Sequence, residues 1–164
     1  MSLLEKEAVK RAEKALKDFN QSLSVIILDT TARTARDAAY SLKCEVGAIV
    51  KSLLFRTENL FVLCLVAGDK RCSLSKLKKI LSKKDVSMAS PEEVKNQTGY
   101  TIGGVSPVGH IKSVDIMIDS SLNRFNELYG AAGHPNCIFK INFEDLIKIT
   151  NGKSMDITEW DNQK

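Results

Sequence analysis

Apolar residues recur along this chain in two rhythms, one of three to four residues and one of two, and their order predicts most of the elements. Leu4, Ala8, Ala12, Leu16 and Phe19 repeat at helical spacing, so the spacing predicts an amphipathic helix over 2–20, with Ser2 and Glu5 as a capping box. Leu23 to Leu28 reads as a short buried strand. A second helix follows to about Lys43, capped by Thr31 or Thr34. The apolar runs Val46–Arg56 and Leu60–Ala67, separated by Thr57-Glu-Asn59, have the spacing of a β-hairpin that Gly68-Asp69 closes. Ser73–Leu81 predicts a helix with Leu74, Leu77, Ile80 and Leu81 inward, and Val86–Ala89 a short strand. Ser90, Pro91 and Glu93 form a strong helix start, and Gly99 a stop. Val114–Asp119 reads as a strand, Ser120–Phe125 as a helical turn, and Asn126–Tyr129 as a further strand. Gly130-Ala-Ala-Gly-His-Pro135 reads as a loop and Cys137–Asn142 as a strand. Asn142 then caps a last helix ending near Gly152, before a frayed polar tail over 153–164. The irregular alternation indicates one α/β domain over residues 1–164, a mixed sheet with flanking helices.

Two stretches break the pattern. In the first hairpin run Ile49, Lys51, Leu53 and Phe55 share a face by two-residue alternation, which sets a lysine among core residues. Such a lysine either snorkels from a strand end or is held for use, because a desolvated ammonium costs stability unless it is paired. The second is Thr98-Gly-Tyr-Thr-Ile-Gly-Gly-Val-Ser-Pro-Val-Gly-His110, with four of the nine glycines and one of three prolines. Gly103 and Gly104 permit close approach to the main chain, and Pro107 stiffens the turn. The expectation is a rigid turn with exposed amides, able to hold an oxyanion or a phosphate; the plainer reading is a tight connector.

Composition narrows the chemistry. With 164 residues and 43% hydrophobic content the chain can bury one core. No apolar run reaches membrane-spanning length, and the acidic residues near Met1 do not suit an export signal, so the expected location is the cytoplasm. The four cysteines form no CxxC pair, and His110 and His134 have no second ligand at metal-binding spacing, so neither a metal nor a cofactor is expected. The net charge is only +4, but Lys70, Arg71, Lys76, Lys78, Lys79, Lys83 and Lys84 lie within one stretch without an acid among them. That is either a footprint for a nucleic-acid backbone or a solvated face. No GxSxG is present, Ser106 has only His110 nearby, and no Lys-Ser/Thr follows the glycines, which disfavours a serine hydrolase or a phosphate-loop hydrolase.

Six segments in order carry a resemblance: Ile49-Val-Lys-Ser-Leu-Leu-Phe55, Val66-Ala-Gly-Asp69, Met88-Ala-Ser-Pro-Glu-Glu-Val94, Thr98 to Gly109, Ile118-Asp-Ser-Ser-Leu122 and Tyr129-Gly-Ala-Ala-Gly133. Together they resemble the YbaK and prolyl-tRNA synthetase-associated editing domains, which hydrolyse wrongly charged aminoacyl-tRNA. The resemblance implies a crevice between the lysine strand and the two glycine segments, with Lys51 as the essential lysine. Gly104-Val-Ser-Pro-Val-Gly109 would be the GxxPxG loop whose amides engage the aminoacyl carbonyl. Gly104 and Gly109 are thus catalytic candidates beside Lys51, while Gly103, Val105, Ser106, Pro107, Val108, Gly133, His134 and Asp119 are candidates for binding substrate. The family reaction is thought to use the substrate's own ribose hydroxyl to help the water. Ser106 and Val108 stand where many relatives carry proline and an aromatic residue, and the position of His134 varies; both departures bear on substrate identity. The implied partners are a mischarged tRNA, with cysteine or alanine on proline tRNA the leading substrate, and a synthetase. Lys70, Arg71, Lys76, Lys79 and Lys83 would meet the acceptor stem. A competing reading is a module that binds aminoacyl-adenosine or a nucleotide without turnover, as an accessory to a synthetase.

Overall fold

The computed structural model describes residues 2–30 and 34–161. Its strands are β1 (Ile26–Ile27), β2 (Ile49–Thr57), β3 (Leu60–Ala67), β4 (Lys70–Cys72), β5 (Ser87–Met88), β6 (Asp115–Asp119), β7 (Leu128–His134), β8 (Cys137–Ile141), β9 (Lys153–Met155) and β10 (Thr158–Trp160). Its α-helices are α1 (Glu7–Phe19), α2 (Ala35–Leu42), α3 (Leu74–Leu81), α4 (Pro91–Thr98) and α5 (Phe143–Thr150). The main sheet runs β1-β8-β7-β2-β3-β6-β9, with β5 also paired to β2, and β10 pairs with β4 in a separate two-stranded ribbon. Since β2–β7, β3–β6 and β6–β9 are parallel and the other pairs antiparallel, the sheet is mixed, as the sequence indicates.

The capping chemistry is realised locally. Ser2 and Glu5 form a capping box on a 3-10 turn, Leu3–Glu5, and Lys6 in extended conformation separates it from α1. Ser90 and Glu93 form a second box on α4, which stops at Gly99 with φ +82. Thr34 caps α2 through Asp37 N–H at 3.1 Å; Thr31 lies outside the described residues. The buried face of α1 is Val9, Ala12 and Leu16, whereas Leu4 and Phe19 remain 39% and 38% exposed.

Several expectations need correction. The hairpin begins at Ile49, because Val46–Ala48 forms a 3-10 turn. β1 is an exposed two-residue edge strand. Leu74 is exposed, and Leu77 is the fully buried residue of α3. Gly68-Asp69 does not close the hairpin but leads from β3 into β4. The Gly130–Gly133 segment is strand β7, not a loop, with an irregular register between Ala131 and His134. Finally, the tail is not frayed over 153–160: β9 pairs with β6 and β10 with β4.

The faces of β2 separate three clusters. Val50 and Leu54 join the largest one, with α1, Tyr100 and Phe139. On the opposite face Ile49 packs with α2, and Phe55 packs with Cys64, Val66 and Leu77. By strand alternation Lys51 stands between those two smaller clusters.

Candidate functional site

On the side of β2 away from β3, β7 pairs only with Ile49 and Val50, and β5 only with Phe55 and Arg56. Between these pairings the strand edge has no ladder partner among the described residues, and a cavity of about 500 Å³ opens there. Ile49 to Leu54 line it in unbroken succession, joined by Arg36, Tyr129, Gly130, His134 and Asp161. The walls are largely apolar with a few convergent polar groups, the usual make-up of a small-molecule site.

Lys51 is half-buried, and its Nζ donates to the carbonyl of Lys70 at 2.6 Å. Burial holds its pKa below the ordinary lysine value, while Asp161 first, then Asp69 and Cys72, act in the opposite direction. Of the glycine loop, Ile102, Gly103 and Val105 reach the cavity. No hydrogen bond among the described residues engages the N–H of Gly103, Val105 or Ser106. His134 also lines the cavity, and its Nδ1 accepts from Asn136 N–H at 3.0 Å, which leaves the ring proton on Nε2.

The other loop candidates do not come to the cavity. Gly104 through Val108 are buried, so the expected exposed turn is in fact largely interior. Gly104 N–H donates to Thr101 and its carbonyl accepts from Gly133 N–H, each at 3.0 Å, which binds the loop to β7. Gly109 lies against α1, where its carbonyl accepts from Arg11 Nε at 2.7 Å and from Tyr100 OH at 3.2 Å. Tyr100, which sequence reasoning passed over, organises this region: it is fully buried, its hydroxyl also donates to Val108 at 2.6 Å, and Arg11 stacks on its ring. Burial pushes its phenol up to about 12. Ser106 is buried, and His110 Nε2 meets its carbonyl at 2.7 Å, not its hydroxyl, so no nucleophile and base pair forms there. Burial also lowers the His110 pKa.

Asp119, a candidate for binding substrate, is committed elsewhere. It is 1% exposed, accepts from the N–H and hydroxyl of Ser121 and from Ile157 N–H, and does not line the cavity. Gly133 faces the backbone of Ala8, and Pro107 the position of Gly130.

The basic stretch is partly neutralised by acids remote in sequence. Arg71 pairs with Glu159 at 2.8 Å, Lys76 with Asp156 at 2.9 Å and Lys83 with Glu58 at 3.2 Å, while Lys70 lies over the Trp160 ring at 4.4 Å. Lys79 and Lys84 are exposed and carry no ion pair among the described residues. If this stretch is a footprint for a nucleic-acid backbone, removing these two charges should lower the salt slope of nucleic-acid binding by about one to two units, whereas Arg71→Ala should change it less; filter binding across a salt series measures both. Among the described residues no group of three potential metal ligands is assembled, all four cysteines are free, and no helix is long and apolar enough to cross a membrane.

Sequence reasoning did not find Asp161, Arg36 or Met88 among the lining residues. None carries a local signal: Arg36 arrives with α2, which packs on Ile49 of β2, Met88 through the pairing of β5 with β2, and Asp161 after β10, which pairs with β4.

A profile described as the aminoacyl-tRNA editing domain matches residues 29–149. The YwhH protein of Bacillus subtilis (strain 168) is 30% identical over 147 residues, covering 89% of this chain and 93% of its own. The proline--tRNA ligase of Kosmotoga olearia (strain ATCC BAA-1733 / DSM 21960 / TBF 19.5.1) is 37% identical over 103 residues, 62% of this chain but only 18% of that enzyme. A crystal structure described as "a putative trans-editing enzyme for prolyl tRNA synthetase" superposes with a TM-score of 0.89 at 35% identity, covering 94% of this chain and 98% of that one. With the profile spanning the lysine strand, both glycine segments and every lining residue of the cavity but Asp161, the chain belongs to the aminoacyl-tRNA editing domain family.

Proposed function

We propose that the protein is a trans-acting deacylase of mischarged tRNA in the cytoplasm, with cysteine or alanine on proline tRNA as the leading substrate. The observation that carries this reading is the meeting of the half-buried Lys51 ammonium with Gly103 and Val105 at one cavity of about 500 Å³. The relatedness to proline--tRNA ligases and to the trans-editing structure supports the choice of tRNA.

In this reading the 3′ adenosine and its aminoacyl group enter the gap beside β2. Water adds to the ester carbonyl, and the charge that develops on its oxygen meets the amides of Gly103 and Val105, each worth on the order of 3 kcal/mol if well aimed. The carbon–oxygen bond to the ribose then breaks, the ribose oxygen takes the proton, and free amino acid and uncharged tRNA leave. An ester is already activated, so the protein's part is to position, to exclude bulk solvent and to stabilise charge. Lys51 holds the phosphate or carbonyl as a cation, and the Nε2–H of His134 orients the substrate. The apolar walls select acyl groups by size, a discrimination of only ~1–3 kcal/mol per methylene.

The test is incubation with alanyl-, cysteinyl- and seryl-tRNA(Pro) separately. Release of amino acid from the alanyl or cysteinyl form, faster than from the seryl form, is the expected result. Binding of all three without release from any would instead support a non-catalytic module for aminoacyl-adenosine.

A further inference from the structure

We propose that Trp160 is a stacking platform for an unpaired base of a single-stranded RNA end, receiving a nucleotide next to the one lodged in the cavity. The inference rests on the reading of the cavity as the seat of a charged tRNA end. Trp160 is the only tryptophan of the chain and lies beyond the matched segment 29–149. It is 57% exposed, which leaves a large aromatic surface against water. Its place in the ribbon ties it to the cavity through both strands. The register Trp160↔Lys70 sets it opposite the residue whose carbonyl receives Lys51 Nζ at 2.6 Å. The residue that follows it, Asp161, donates its N–H to the Asp69 carbonyl at 3.2 Å and lines the cavity. The indole therefore stands at the rim.

The ring keeps company with cations. Lys70 Nζ lies 4.4 Å from its centroid and the Arg124 guanidinium 5.2 Å. Lys70 has no ion pair among the described residues, so its ammonium is held by the ring alone. The carboxylates of Asp69 and Glu159 are each met by an arginine, Arg124 at 2.9 and 2.8 Å and Arg71 at 2.8 Å. A π face beside a movable cation is the combination with which proteins hold single strands: a base stacks on the ring and the backbone phosphate meets the cation. An incoming base takes the ring face from the Lys70 ammonium, and the flexible lysine stem carries the charge to the phosphate of the same nucleotide. Such a contact reads no sequence, but it needs a base that is free of a duplex. The ring can be altered without releasing the ribbon, because the anchors lie elsewhere. Ile157 and Thr158 are buried, Ser73 N–H donates to the Ile157 carbonyl at 2.8 Å, and Ile157 N–H donates to Asp119 at 2.9 Å.

The experiment is a titration of the Trp160 fluorescence with a short single-stranded RNA ending in cytidine, cytidine and adenosine, the end that tRNAs share. Stacking is expected to quench the emission. The same strand with abasic sites in place of the cytidines should quench little and bind about tenfold more weakly. By anisotropy of labelled RNA, Trp160→Leu should lose about tenfold or more in affinity, whereas Trp160→Phe, which keeps a π face, should lose less. Lys70→Gln should lower the salt slope of binding by about one unit. Absence of quenching, equal affinity in wild type and Trp160→Leu, equal quenching by a blunt RNA duplex, or an emission that follows protein concentration without RNA overturns the proposal. The titration is read without turnover, so quenching with no amino acid released from mischarged tRNA would fall on the proposed activity alone. Deacylation equal in wild type and Trp160→Leu at subsaturating tRNA would instead fall on the platform alone.

Discussion

Replacing Lys51 with methionine is expected to slow amino-acid release from mischarged tRNA by roughly 10²–10³-fold, the loss typical of removing one preorganised charge-stabilising donor. The same substitution should leave the fold at least as stable. The wild-type ammonium is partly desolvated, and its single hydrogen bond goes to the Lys70 carbonyl. Methionine keeps most of the side-chain volume and removes the buried charge. The pH dependence has a definite sign. Burial places the folded-state pKa of Lys51 below the ordinary lysine value of 10.5. Between those two values the unfolded chain binds more protons, so the contribution of this residue to stability rises with pH and is least favourable at neutrality. Urea unfolding at pH 7 and pH 10 should therefore show the gap between Lys51→Met and wild type narrowing as pH rises. Near-wild-type deacylation by Lys51→Met would remove this residue from the chemistry.

Gly133→Ala should be among the most damaging single methyl groups that could be added, at about 2–5 kcal/mol. Two independent costs add. Gly133 has φ +91, which a residue with a Cβ adopts at a cost of roughly 1–2 kcal/mol. An added Cβ would also stand 2.7 Å from both the carbonyl carbon and the oxygen of Ala8 and 2.9 Å from Val9 N. These are main-chain atoms of α1 that cannot swing aside, so overpacking contributes about 1–3 kcal/mol more. Because Gly133 N–H donates to Gly104, the displacement would reach the glycine loop and lower activity as well. Gly103→Ala is the informative contrast: its φ of +98 is equally demanding, but the nearest atom is Pro135 Cγ at 3.5 Å, so only the conformational cost applies. Chemical denaturation separates the two, and a loss below about 1 kcal/mol for Gly133→Ala would contradict the packing account.

Both predictions fall on residues that the sequence singled out, for reasons it did not wholly reveal. The lysine anomaly was legible because two-residue alternation is a property of the strand itself, and β2 obeys it. Helix ends were legible for the same reason: Ser90, Pro91, Glu93 and Gly99 act within one helix. What was not legible depends on partners distant in the chain. Gly130 and Gly133 look like a loop because glycine is a poor strand former, yet here the missing side chains admit the Phe139 ring and the backbone of α1. β9 and β10 are three residues each, too short for a periodic signal, and exist because β6 and β4 receive them. The family likeness brought Gly104, Gly109 and Asp119 forward as site residues; in the fold Gly104 and Gly109 tie the loop to β7 and to α1, and Asp119 ties the end of β6 to the C-terminal segment. The lysine-rich stretch is likewise acid-free only in sequence, since Glu58, Asp156 and Glu159 arrive from elsewhere.

The interrupted ladder beside β2 has a bearing on how such a hollow can diverge. Its base is formed by peptide groups of consecutive residues, and these persist whatever codon specifies the side chain. Substitution at Leu53, Met88 or Ile102 can therefore resize the chamber while the strand edge beneath it is inherited intact. New preferences can arise in this scaffold one wall at a time, without rebuilding the machinery beneath.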